Sequence, residues 1–226
     1  MRSRAGASRE LPSVHTGRHV VAISPDGTKL VYHANLHLYL RAMDRMDPQP
    51  IRGTNEDPME PVFSPDGTSI VYFASGGRTL KKIAVSGGSP ITIAELPAPP
   101  NGASWRNGMI VFGLTAGDSS GIYAAPDGGG ALKRLISVDP AVERASQPEI
   151  FEDGKHVLFT LTRPTDSMQG EGAIVVQSLQ TGERKVLLNG GTGAHVLPTG
   201  QLVYMHARNL FGVPFNSRTL EVTGAL

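Results

Sequence analysis

The side chains able to do chemistry are few and far apart along the chain. Seven histidines and twenty carboxylates are available, and there is no cysteine. Disulfides, thiolate metal sites and a cysteine nucleophile are therefore excluded. His33 and His37 stand four apart, a metal-ligand spacing when both lie on one helix face. Here they flank Asn35 around a strand turn, with no third ligand nearby. They read as surface or interblade residues. Asp26 and Asp66 each occupy a Ser-Pro-Asp-Gly phrase, where an aspartate ordinarily caps its own turn. The remaining candidates are His19, Glu60, Ser104, Gln147, Glu149 and His195. A histidine, a serine and carboxylates brought together could do acid–base or nucleophilic work. They could as readily line a solvated channel that binds a peptide, a sugar or a cation.

What would bring such distant residues together is an internal repeat. Ser24-Pro25-Asp26-Gly27-Thr28 precedes Leu30-Val31-Tyr32, and Ser64-Pro65-Asp66-Gly67-Thr68 precedes Ile70-Val71-Tyr72. Weaker copies surround Asn107-Gly108, Asp153-Gly154 and Thr199-Gly200. The turn glycines Gly27, Gly67, Gly108, Gly154 and Gly200 are spaced by 40, 41, 46 and 46 residues. Each turn glycine joins two short apolar strands, because it accepts the positive φ of a tight hairpin. A third strand follows, then a Gly- and Pro-rich turn, then a fourth. Four strands per unit of this length is a propeller blade. The strands are apolar on both faces, as a sheet packed between two neighbours must be. Helical periodicity is absent.

The expected fold is therefore an all-β propeller of about five four-stranded blades. Their approximate ranges are 18–57, 58–100, 101–140, 141–191 and 192–226. Aligning the units places the six candidates on the first strands, around the central channel and its mouth. Tyr32, Tyr72, Phe112, Phe159 and Tyr204 become equivalent core positions between blades. Trp105 aligns with Phe63 and reads as core, not as a ligand platform. The fifth unit shows three strands and no fourth, so the last blade is expected to be incomplete and the chain a possible fragment of a larger propeller. Residues 1–17 form a separate segment, in which Arg9 to Val14 could supply the closing strand. Pro12 is a poor strand residue. The other outcome is self-association through an open seam, which would otherwise expose strand edge and apolar face together.

The phrases Ile23-Ser24-Pro25-Asp26-Gly27 and Phe63-Ser64-Pro65-Asp66-Gly67, each followed by an apolar-Val-Tyr strand, resemble the TolB-type propeller repeat. That repeat occurs in bacterial periplasmic proteins and in the propellers of prolyl-oligopeptidase-like peptidases. It also occurs in the propeller regions linked to some bacterial serine/threonine kinases. Leu38-Tyr39-Leu40-Arg41-Ala42-Met43-Asp44 and Leu80-Lys81-Lys82-Ile83-Ala84-Val85 are similar to the third strand of the kinase-linked branch. The resemblance covers roughly residues 18 to 216. It implies a propeller fold and a periplasmic or extracytoplasmic location, although no apolar run follows Met1-Arg2-Ser3-Arg4 and no signal peptide is expected. No kinase motif and no Gly-x-Ser-x-Gly elbow is present, so no hydrolase domain is expected beside the repeats.

Function follows less directly. Twenty-one basic residues against twenty acidic ones give a net charge of +1, which argues against a nucleic-acid binder. No run is long and apolar enough to span a membrane. A strong fold signal without a catalytic motif points to a non-catalytic, sensor-like binding or protein-interaction module. Its partner would be a protein, peptide or small molecule at the channel mouth, with no cofactor and no metal. The alternative is a small hydrolase-like enzyme with its site at that mouth.

Overall fold

A computed structural model describes residues 20–165 and 172–224. Blade one consists of β1 (Val21–Ile23), β2 (Lys29–Ala34), β3 (His37–Ala42) and β4 (Gln49–Pro50). Blade two holds β5 (Met59–Phe63), β6 (Ser69–Ala74), β7 (Thr79–Ala84) and β8 (Ile91–Glu95). Blade three holds β9 (Pro100–Arg106), β10 (Met109–Leu114), β11 (Gly121–Pro126) and β12 (Lys133–Ser137). Blade four holds β13 (Arg144–Ile150), β14 (His156–Thr162), β15 (Ala173–Ser178) and β16 (Arg184–Asn189). Blade five holds β17 (Thr192–Leu197), β18 (Gln201–His206), β19 (Asn209–Asn216) and β20 (Glu221–Val222). Each blade is an antiparallel sheet with its strands in sequence order. Together the five sheets form a β-propeller, and the only helices among the described residues are two three-residue 3-10 turns.

The repeated phrase builds the same turn twice. The Ser24 hydroxyl donates to Asp26 Oδ1 at 2.5 Å, Thr28 N–H donates to that oxygen at 3.0 Å, and Lys29 N–H donates to Ser24 Oγ at 2.9 Å. Ser64, Asp66, Thr68 and Ser69 repeat the pattern at 2.5, 3.0 and 2.9 Å. Gly27 and Gly67 take φ of 70° and 67°, which a residue without Cβ adopts at no steric cost. The serine hydroxyl, and after it the threonine N–H, hold both aspartates down to a pKa of about 2. These carboxylates are turn staples, charged at any ordinary pH.

Four apolar clusters fill the junctions between successive blades. Val31, Leu38, Phe63, Ile70 and Tyr72 join blades one and two. Phe73, Trp105 and Phe112 join two and three. Val111, Ile122, Val157 and Phe159 join three and four, and Leu158, Tyr204 and Phe215 join four and five. The strand registers make Tyr72, Phe112, Phe159 and Tyr204 equivalent, as the repeats predict, and all four are buried. Tyr32, the fifth member, is only half-buried.

Three expectations need correction or placement. Blade five is not incomplete: β20 pairs Val222 with Phe215 and Glu221 with Asn216. It is two residues long and follows a polar turn with no glycine. In that turn, Asn216 Oδ1 accepts Arg218 N–H at 2.9 Å and Thr219 N–H at 3.2 Å, while Leu220 supplies the positive φ of 55°. The repeat pattern predicts the fourth strand of blade one over Pro50 to Gly53, and the structure places it at Gln49–Pro50. The expected closing strand, Arg9 to Val14, lies outside the described residues.

Candidate functional site

The first strands of successive blades touch one another, so the candidates they carry lie on neighbouring strands. His19 lies outside the described residues. The others lie on β5, β9, β13 and β17, and the register determines how they relate. Ser104 pairs with Val111, Glu149 with Leu158 and His195 with Val203, so Ser104, Glu149 and His195 occupy one repeat position. Two residues earlier stand Gly102, Gln147 and Gly193, with Glu60 as their counterpart on β5. All four have positive φ: 53° at Glu60, 79° at Gly102, 51° at Gln147 and 61° at Gly193. On these four strands the register against the second strand of the blade also slips in this region. Each of the four therefore carries a bulge that turns one residue toward a neighbouring blade.

What the bulge residues do is clasp neighbouring blades. Glu60 Oε2 accepts Gly102 N–H at 3.1 Å, from blade two to blade three. Gln147 Oε1 accepts Gly193 N–H at 2.9 Å and the Thr192 hydroxyl at 2.6 Å, from blade four to blade five. The Thr160 hydroxyl donates to the same oxygen at 3.2 Å. Between blades three and four the bulges meet by close approach instead. A Cβ added at Gly102 would lie 2.4 Å from Gln147 Cα, so only glycine fits. Ser104 Oγ receives Ile150 N–H at 3.4 Å across that junction. Glu149 Oε2 lies 2.8 Å from His195 Nδ1 and 3.4 Å from Val196 N–H. In every case the acceptor side chain reaches forward to a donor on the following blade. A backbone N–H at a bulge has lost its ladder partner, and a buried one must find another acceptor.

Glu60 and Glu149 are thus buried carboxylates whose oxygens accept bonds from the next blade. His195 differs, because half of its side chain faces solvent. Its pKa is raised, first by the hydrogen bond to Glu149 and also by that carboxylate's charge, against burial, which lowers it. The native state therefore binds the proton more tightly than the unfolded chain does. The resulting stability is complete below the ordinary histidine value of about 6.5 and is lost as pH rises through the higher native value. Wild type should melt above His195→Asn at about pH 6, and the gap should narrow as pH rises through the raised native value. A gap that widens with pH would show that Glu149 does not stabilise the imidazolium.

Trp105 is held rather than offered. Its Nε1–H donates to Asp127 at 3.1 Å, and Lys82 Nζ donates to the Asp127 carbonyl at 2.6 Å while standing 5.8 Å from the indole centre. These groups and the Ser64–Ser69 turn border an open cleft of about 440 Å³ between blades two and three. His33 and His37 serve separate partners: His33 Nε2 lies 3.1 Å from Asp57, and His37 Nδ1 lies 2.8 Å from the Asn35 carbonyl. No group of three or more potential metal ligands occurs among the described residues. No helix among them is long and apolar enough to cross a membrane.

With five sequential four-stranded blades in place, the chain can be compared with solved structures. TolB from Acinetobacter baumannii superposes with a TM-score of 0.59 at 20% identity, over 84% of this chain and 52% of that one. A structure from Agrobacterium tumefaciens assigned to TolB gives 0.66 at 19% identity, over 86% of this chain and 72% of that one. The chain has the TolB-type propeller fold. It spans about half the length of the Acinetobacter protein. The same fold aligns with the nidogen/laminin complex at a TM-score of 0.64 and 12% identity, over 86% of this chain and 74% of that one. No protein-family model matches the sequence, and no curated protein does. At these identities the likeness establishes the TolB-type fold and no activity.

Proposed function

We propose that this TolB-type propeller is a non-catalytic protein-interaction module of the sensor-like kind. One observation carries the reading. The polar residues that could have formed an acid–base group at the channel mouth are engaged in holding adjacent blades together. Glu60, Ser104, Gln147 and Glu149 each accept a hydrogen bond from the next blade. A group tied down in this way is poorly placed to shuttle protons during turnover. Propeller neighbours support the reading in kind: one belongs to a nidogen/laminin complex, and another is the propeller domain of Swd1. A peptide or protein ligand at the mouth would meet the solvent-facing edge of His195.

The His195–Glu149 pair favours a second reading, a small hydrolase-like site, because a carboxylate that orients an imidazole is a general-base arrangement. Other neighbours are enzymes, among them an oligogalacturonate lyase from Vibrio parahaemolyticus. Parallel assays separate the two. A peptide array should yield ligands whose binding weakens on His195→Ala, and a panel of nitrophenyl esters should show no turnover. Ester hydrolysis by wild type, abolished by both His195→Ala and Glu149→Gln in folded protein, would establish the enzyme instead.

A further inference from the structure

The repeat makes the blade junctions comparable position by position, and one of them departs from the others. Three positions come together there. Lys82 pairs with Val71 on blade two, and Trp105 pairs with Ile110 on blade three. Asp127 stands at the end of the third strand of blade three, its N–H bonded to the Gly108 carbonyl just ahead of the second strand. The register gives their counterparts at the other junctions. They are Leu40, Phe63 and Val85 between blades one and two, and Ala124, Ile150 and Leu179 between three and four. Between blades four and five they are Val176, Val196 and Phe215. All three of those trios are apolar and belong to the cluster that fills their junction. Only the trio between blades two and three carries charge, and there the junction stands open as the cleft of about 440 Å³. An apolar trio would hold the blades at least as well, and a local break in the repeat's rule marks a functional position.

The hydrogen bonds around the cleft decide what it takes. Lys82 Nζ is drawn to the Asp127 carbonyl at 2.6 Å and stands over the indole, while Trp105 Nε1–H donates to Asp127 Oδ2 at 3.1 Å. That leaves Asp127 Oδ1. Asp66, which borders the same cleft, takes the bonds of Ser64 and Thr68 on Oδ1, and that leaves Oδ2. Asn107 gives its Nδ2 to the Glu152 carbonyl at 3.2 Å and keeps its side-chain oxygen. The lining thus holds two carboxylates against one ammonium, and what it has left to offer is acceptors. An anion would meet both carboxylates. A hydroxyl ligand gives as well as takes, so an acceptor lining uses only half of it. A guanidinium has five donors, no acceptor and a fork that fits carboxylate oxygens. We infer that the cleft between blades two and three is a docking site for an arginine side chain presented by a protein partner. Only the protein source of the arginine rests on the function proposed above. The site itself is separate from the channel mouth, so the two can fail independently.

Trp105 is the only tryptophan in the chain, so its fluorescence reports on the cleft directly. The full chain is titrated with acetyl-Gly-Arg-Gly-amide, with the citrulline tripeptide of the same shape but no charge, and with maltose. The arginine peptide should shift the emission saturably, and the citrulline peptide should bind about fivefold more weakly or not at all. Asp66→Asn and Asp127→Asn keep an oxygen for the turn and for the indole N–H, and each should weaken the arginine peptide about fivefold. No saturable shift with the arginine peptide would overturn the inference, as would unchanged binding in both variants. An equal response to citrulline or maltose would also overturn it and assign the cleft to a neutral ligand. A second measurement asks whether the charged trio serves the fold instead. Lys82→Leu, Trp105→Phe and Asp127→Val together copy the junction between blades one and two. The triple variant should melt no lower than wild type. A fall of more than about 4 °C, the shift expected for a loss near 1 kcal/mol in a domain of this size, would make the trio structural and overturn the inference.

Discussion

Phe112→Ala is expected to lose about 3–5 kcal/mol of stability, the range for deleting a buried aromatic ring. Phe112 lies on β10 and is fully buried in the cluster between blades two and three. Its ring meets Phe73 of blade two edge-on at 5.7 Å and stacks with Tyr123 of its own blade at 6.3 Å. Truncation would remove the contact that ties one sheet to the next and leave a cavity that two flanking sheets cannot collapse into. Urea unfolding at constant slope measures this directly. A loss under about 1 kcal/mol would mean that the ring is not an interblade anchor.

Gly102→Ala is the second large effect, and it acts through backbone alone. The added methyl carbon would sit 2.4 Å from Gln147 Cα and 2.9 Å from Gln147 N. Neither is the end of a flexible side chain. The residue also sits at φ of 79°, which costs an L-residue about 1–2 kcal/mol before any clash. Overpacking adds about 1–3 kcal/mol. The expected sum is about 2–5 kcal/mol, with blades three and four pushed apart at their first strands. Gly108→Ala is the control: it has a similar φ of 70° and nothing within 4 Å of the added carbon. It should cost only the conformational part. Equal losses at the two positions would show that the close approach of the bulges carries no energy.

Much of this architecture was legible because a repeat states its own geometry. The Ser-Pro-Asp-Gly phrases announce the turn, and Leu30-Val31-Tyr32 beside Ile70-Val71-Tyr72 announces the strand whose two faces both need cover. β20 was not legible, since its turn is made by Asn216 capping and Leu220 strain, not by glycine. The bulges at Glu60, Gly102, Gln147 and Gly193 were hidden for a different reason. The repeat alignment places Glu60, Gln147 and Glu149 on first strands, and they lie on β5 and β13. That their acceptors face the next blade depends on a register slip in each of these strands, and no spacing within one blade reveals it. A signal was present all the same. Aligning the units on Ser104, Glu149 and His195 stacks Glu60, Gly102, Gln147 and Gly193 two positions earlier, an acceptor alternating with a glycine. An acceptor followed one repeat later by a residue without a side chain is what a clasp between blades requires.

That clasp is the centre of the account, and amide hydrogen exchange at Gly102 and Gly193 tests it most directly. Both N–H groups lie at bulges and donate to side-chain acceptors: Glu60 for Gly102, Gln147 and Thr160 for Gly193. The account predicts slow exchange at both amides in wild type. Glu60→Ala should speed Gly102 and leave Gly193 slow, and Gln147→Ala combined with Thr160→Val, which removes both acceptors of Gly193, should do the reverse. Fast exchange at both amides in wild type, or protection unchanged by removing the acceptor, would contradict it.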